Sequence, residues 1–151
     1  MRTRSSWERR ATVLVLAAAL LVVGGSFQPW VATGTRLRNS YEVVDAGVYT
    51  GLFDAVGPLA LLWYLLPLLA AMSWLAAWFD RTRVATRLGM AVGLVGVLAA
   101  AAVEVGPVPT RSGVGITLVG GLLAVGAGMA GVIRSSLAAG RPSPAAQDRG
   151  A

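Results

Sequence analysis

Residues 114–133 read VGITLVGGLLAVGAGMAGVI, twenty positions without one ionisable side chain. A helix rising ~1.5 Å per residue needs ~20 residues to cross a hydrocarbon layer ~30 Å thick, so this stretch has the length and composition of a membrane span. Three further apolar stretches stand at 11–27, 58–79 and 88–105, and with the first they take up half of the 151 residues. Backbone groups in lipid find no water, so each stretch must satisfy its own N–H and C=O groups as a helix. The expected fold class is all-α: an integral membrane four-helix bundle, with a short, partly structured loop over 28–57 between the first two spans. A cleaved signal peptide is the alternative reading of the first stretch, because an arginine-rich start precedes the apolar run and Gly24, Gly25 and Ser26 follow it. The run exceeds a typical signal core, however, no Ala-x-Ala site follows, and Phe27 and Trp30 stand where an interfacial anchor would.

Composition agrees with a lipid solvent. Hydrophobic residues make up 56% of the chain and charged ones 13%, against roughly a quarter charged in an average soluble domain. The net charge of +6 rests on 13 basic residues, all of them arginine. Ten fall in three segments: Arg2, Arg4, Arg9 and Arg10; Arg81, Arg83 and Arg87; Arg134, Arg141 and Arg149. Arg36, Arg38 and Arg111 are the remaining three. By the positive-inside rule the basic N-terminus (1–10), the middle loop and the C-terminal tail (134–151) are cytoplasmic, which makes 28–57 an outer loop of an inner-membrane, multi-pass protein. The tail is small, Pro-rich and charged, the composition of a disordered segment. Arginines spread so thinly leave no basic face, so nucleic acid is not an expected partner; lipid and a membrane protein, or a second copy of the chain, are. Cysteine and histidine are both absent. Disulfides, thiolate nucleophiles, Cys/His zinc sites and His-ligated haem go with them, and no cofactor or metal is expected.

The outer loop carries the most local signal. Pro29 and Trp30 end the first helix, and residues 30–38 read as two short extended pieces hinged at Gly34, with Val31, Thr33, Thr35 and Leu37 favouring β geometry. Such a hairpin is marginal unless it packs on the helix ends. Asn39 or Ser40 then supplies an N-cap, with Glu42 at capping-box spacing from Asn39, for a short helix from Tyr41 to about Tyr49. Asp54 is placed to cap the second span, Pro58 to sit in its first turn, and Pro67 to kink it by freeing the Trp63 carbonyl. Trp7, Trp78 and Phe79 on one side, and Phe27, Trp30, Trp63 and Tyr64 on the other, read as interfacial aromatic belts.

Small residues recur at helical spacing in the last two spans. Gly89, Gly93, Gly96 and Ala100 lie on one face of the third; Gly113, Thr117, Gly121, Ala124, Gly128 and Gly131 form a matching stripe on the fourth. The two stripes are expected to meet, or one of them to meet a partner chain. The next step along the first stripe is Glu104, which places that carboxylate on the packing face near the outer interface. An ion pair with Arg111, Arg36 or Arg38 is the expected structural role, and a proton or cation site for transport the functional one. Glu42, Asp45 and Asp54 share the outer loop, without the Asp/Asn-Gly alternation of a calcium site.

The letters Gly25-Ser-Phe-Gln-Pro-Trp30, followed by Arg36-Leu-Arg-Asn-Ser40-Tyr-Glu-Val, resemble the small, uncharacterised four-span membrane proteins common in actinobacteria, in which a Phe-x-Pro-Trp turn ends the first helix and a Ser-Tyr/Phe-Glu stretch follows. The resemblance implies an envelope protein, assigns no activity and carries over no functional residue. Small four-helix multidrug exporters, by contrast, use a membrane-embedded Glu in the first helix, and no charge lies between Ala11 and Phe27 here. The expected function is therefore that of a non-enzymatic accessory or scaffold protein, acting through its glycine stripes and outer loop. Trp30, Arg36, Arg38, Tyr41 and Glu42 are the residues expected to face a partner or seal the bundle. A small transporter or channel component using Glu104 is the alternative.

Overall fold

The computed structural model describes residues 6–49, 57–105 and 109–139. In chain order these form α1 (Ser6–Phe27), β1 (Pro29–Thr33), β2 (Arg36–Asn39), α2 (Ser40–Tyr49), α3 (Gly57–Tyr64), α4 (Leu66–Trp78), α5 (Thr82–Glu104) and α6 (Ser112–Ala139). The architecture is a helical bundle with one small hairpin at its end. Three helices, α1, α5 and the Ser112–Arg134 part of α6, are long and apolar enough to cross a membrane. The remaining apolar stretch is carried by α3 and α4, which part at Leu65. Pro67, in the first turn of α4, has no N–H to give to the Trp63 carbonyl; the ladder resumes on either side with Leu65 N–H to Leu61 at 3.2 Å and Leu69 N–H to Leu65 at 2.9 Å.

α1 and α5 are the inner helices. α1 packs on α4, α5 and α6, and α5 on α1, α4 and α6. Close approach is permitted by glycine. A Cβ at Gly93 would lie 2.9 Å from the Gly121 carbonyl oxygen, and one at Gly121 2.6 Å from that of Gly93, so α5 and α6 touch backbone to backbone here. Ala124, fully buried, stands against Gly93, and Gly128 is covered by the Met90 side chain. The α5 stripe does more than meet α6, however. Gly89 receives Val15 and Gly96 receives Val22, both from α1, while Gly120 of α6 approaches the Ala18 carbonyl and Gly131 approaches Ala11. The sequence paired the two stripes because their glycine spacing is visible; α1 meets α5 with the branched Val15 and Val22 and α6 with Ala11, Ala18 and Gly25, seven residues apart, a face that glycine spacing alone passes over.

Several boundaries differ from expectation. α1 begins at Ser6, inside the basic N-terminal segment, with Glu8 in its first turn where a carboxylate favours the helix dipole. α6 continues through 134–139, which were expected to belong to a disordered tail. The Arg134 guanidinium lies 3.9 Å from the centroid of the Trp7 ring, a cation–π contact that holds this end of α6 on α1. Residues 140–151 and the Asp54 cap lie outside the described residues.

α4 ends in a tight reversal. Arg81 N–H reaches the Ala76 carbonyl at 2.8 Å and Asp80 N–H that of Ala77 at 3.0 Å, with Asp80 at φ +63° in the left-handed position that glycine usually takes. The turn delivers α5 antiparallel to α4. Near the same end the Thr12 and Thr86 hydroxyls of α1 and α5 lie 3.4 Å apart.

Candidate functional site at the hairpin end

The segment after α1 folds as its sequence proposes. β1 and β2 pair antiparallel, Val31 with Arg38, Ala32 with Leu37 and Thr33 with Arg36. Gly34, at φ +61°, opens the two-residue loop with the positive φ that tight hairpins require. Asn39 and Glu42 close a reciprocal capping box: the Glu42 N–H donates to Asn39 Oδ1 and the Asn39 N–H to Glu42 Oε2, both at 3.0 Å. The other Glu42 oxygen faces Arg36 at 3.6 Å.

A hairpin this short holds its shape by docking. The Arg111 N–H donates to the Trp30 carbonyl at 2.9 Å, and Val31 forms a bridge with Thr110, so β1 is seated on the chain entering α6. The Trp30 ring lies over Gly113, where a Cβ would meet the Gln28 carbonyl at 2.9 Å. Its Nε1 donates to the Gly25 carbonyl at 2.9 Å. Edge-on against it, at 5.2 Å and 71°, is Trp63. From Trp63 a polar relay runs inward: Nε1 donates to Ser40 Oγ at 3.1 Å, Ser40 Oγ to the Ser26 carbonyl at 2.6 Å, and Ser26 Oγ to the Val23 carbonyl at 2.6 Å. Ser26 Oγ also lies 3.2 Å from Tyr41 Oη. Tyr41 packs between Phe27 and Tyr64, and Tyr64 Oη donates to Asp45. The ends of α1, α2 and α3 are thereby tied by a polar relay that is buried at Trp63, Ser40 and Ser26 and reaches the surface at Tyr64 and Asp45.

The belt reading of Trp30 and Trp63 is corrected by this arrangement. They are only 2% and 4% exposed, part of the core and not rings at an interface. Of the residues expected to face a partner, Trp30 therefore seals. Tyr41, Arg38 and Glu42 are half-buried, and Arg36 is exposed. Around them Phe27, Leu37, Val48 and Tyr49 are all at least half exposed, Tyr49 at 94%. An open cleft of about 560 Å³ is lined by Arg36, Arg38, Glu42, Asp45, Ala46 and Tyr49. Into this ring of mixed charge Arg38 brings a buried Nε that has no hydrogen-bond partner among the described residues. Ser26, Ser40 and Asp45 were not singled out as site residues in the sequence. Their neighbours could not be known from spacing, since the relay links positions 14 to 23 residues apart.

Glu104 stands apart from its expected setting. The stripe ends at the buried Ala100, and Glu104 is exposed at the end of α5, where it accepts the Thr110 hydroxyl at 3.1 Å. Among the described residues it makes no ion pair with Arg111, Arg36 or Arg38. No group of three or more Asp or Glu side chains that could hold a metal comes together among the described residues. Compared with known proteins, the chain matches no family model, no curated protein and no solved structure.

Proposed function

We propose that this chain is a four-pass inner-membrane protein, the second pass formed by α3 and α4, and that it serves as a non-enzymatic accessory or scaffold subunit. Both termini are cytoplasmic in this reading and the hairpin with α2 is extracytoplasmic, where it docks another membrane protein. The observation that carries the proposal is the contrast at the hairpin end. Two tryptophans and a serine relay are buried to fix a segment of twenty-odd residues, and the rim so fixed presents Leu37, Val48 and Tyr49 to the surroundings. Ordering a loop costs conformational entropy of ~1–2 kcal/mol per residue, which a chain needing only a connection between two spans would not spend. Mixed charge along Arg36, Glu42 and Asp45 would orient a partner without demanding one sign of surface.

The envelope resemblance of the Phe-Gln-Pro-Trp turn supports the same setting. For the transporter alternative, the geometry offers an exposed Glu104 bonded to a hydroxyl and, among the described residues, no carboxylate enclosed by the helices. A photoreactive residue at Leu37 or Tyr49 in intact cells should give one discrete adduct, lost when Arg36 and Glu42 are exchanged in charge, while the same group at Val119 on α6 gives only lipid adducts. If purified protein in vesicles moves cations or drugs down a pH gradient and Glu104→Gln abolishes that flux, the scaffold reading falls.

A further inference from the structure

At the end of the bundle opposite the hairpin, the last turns of α4 and the first turns of α5 part to leave a groove of about 420 Å³. Its walls are hydrocarbon: Met72 and Leu75 of α4, Val84 and Leu88 of α5, with Phe79 at the reversal. The exception is Arg81, which belongs to the lining and sits where the chain turns between the helices. Met72 and Leu75 are nearly half exposed, along a face that no element of the described residues covers, so the groove opens sideways. The eight residues from Met72 to Phe79, seven steps of ~1.5 Å, give it a run of ~10 Å along the helix axis.

Charge decides what such a groove can hold. Over residues 79–88 the chain carries Arg81, Arg83 and Arg87 against Asp80 alone. A short apolar groove with a guanidinium at its mouth matches an amphiphile whose head is a phosphate and whose tail, an acyl chain, lays its first carbons along the groove, since guanidinium pairs with phosphate through two parallel N–H···O bonds. The neighbouring arginines discriminate among heads. A choline lipid would bring a quaternary ammonium to a segment already rich in arginine, whereas a glycerol head brings no positive charge.

We infer that this groove binds one anionic glycerophospholipid, its phosphate on Arg81 and one acyl chain along Met72, Leu75 and Leu88. The site rests on the reading of the bundle as membrane-inserted, and it would anchor the α4–α5 reversal to the inner leaflet.

Native mass spectrometry of the full chain released from detergent micelles, titrated with phosphatidylglycerol or phosphatidylcholine, tests it. Phosphatidylglycerol should bind one to one and tighter than phosphatidylcholine. Arg81→Gln should weaken it roughly fivefold, the factor for the ~1 kcal/mol that an arginine contributes near an anionic surface. Arg81→Lys, which keeps the charge but not the two parallel N–H···O bonds, should fall between the unchanged chain and Arg81→Gln, and Arg111→Gln at the far end should change nothing. Inorganic phosphate at millimolar concentration should not displace the lipid. Equal binding of the two lipids, an Arg81→Gln protein that folds and holds phosphatidylglycerol as tightly as the unchanged chain, or displacement by phosphate alone would each overturn the site. A chain that stays dissolved without detergent would instead overturn the membrane reading itself.

Discussion

A methyl group at Gly121 would stand 2.6 Å from the Gly93 carbonyl oxygen and 3.1 Å from the Val97 amide nitrogen, both backbone atoms that cannot swing aside. At Gly126, five residues on in the same helix, nothing lies within 4 Å. The two positions therefore separate packing from composition. Gly121→Ala should lower stability by about 1–3 kcal/mol, the cost of overfilling a close contact. Gly126→Ala should leave it unchanged or raise it by up to ~1 kcal/mol, the difference in helix propensity. Reversible unfolding in mixed micelles measures both. The sequence held half of this distinction: spacing marked Gly93 and Gly121 as one contact, yet nothing in the letters told which neighbour Gly89 and Gly96 would meet. Trp63 teaches the same limit. An aromatic near a span end fits an interface or a core equally well, and only its bond to Ser40, 23 residues away, resolves the choice. Trp63→Phe keeps the ring but not the donor, and should cost ~1 kcal/mol in the same assay.

Local elements were more legible where short-range chemistry alone decides them. Gly34 between β-favouring residues, and Asn39 three before Glu42, are signals complete within a few positions, and both features form as read. Asn39→Ala removes the acceptor for the Glu42 N–H and should cost ~1 kcal/mol. Because α2 packs only at the bundle's end, the loss should be local: faster hydrogen exchange over 40–49, with the amides of α1 and α5 unchanged. Slowed or unaltered exchange in α2 would mean that the Trp30–Trp63 contact, and not the cap, sets its stability. Glu104 obeys the same limit. Helical spacing carried the α5 stripe past Ala100, but a stripe is buried only as far as another helix faces it, and α5 ends at Glu104 beside the loop that enters α6. Periodicity describes a face; it cannot say where the neighbour stops.

At the scale of the molecule the contacts at the two ends of the bundle decide how many times the chain runs its height. The start of α1 and the end of α6 meet in the Trp7–Arg134 contact, and Thr12 near that end lies against Thr86 at the start of α5. The hairpin and the entry to α6 meet at the other end through Trp30, Thr110 and Arg111. Helices arranged so must pass between the two ends an even number of times, and α3 with α4 must therefore run the full height together despite the break at Leu65. Of the described arginines, Arg9, Arg10, Arg81, Arg83, Arg87 and Arg134 belong to the first end, and Arg36, Arg38 and Arg111 to the second. Under the proposed membrane reading, that asymmetry assigns the first end to the cytoplasm, because arginine-rich short segments are retained there. Reporter fusions at the N- and C-termini should both signal cytoplasm, and one inserted between Gly34 and Thr35 the opposite side. Replacing Arg81, Arg83 and Arg87 by Gln should lower the fraction of correctly oriented chains without changing the helix content. Termini reporting on opposite faces would require an odd number of crossings, which a bundle joining Trp7 to Arg134 cannot make.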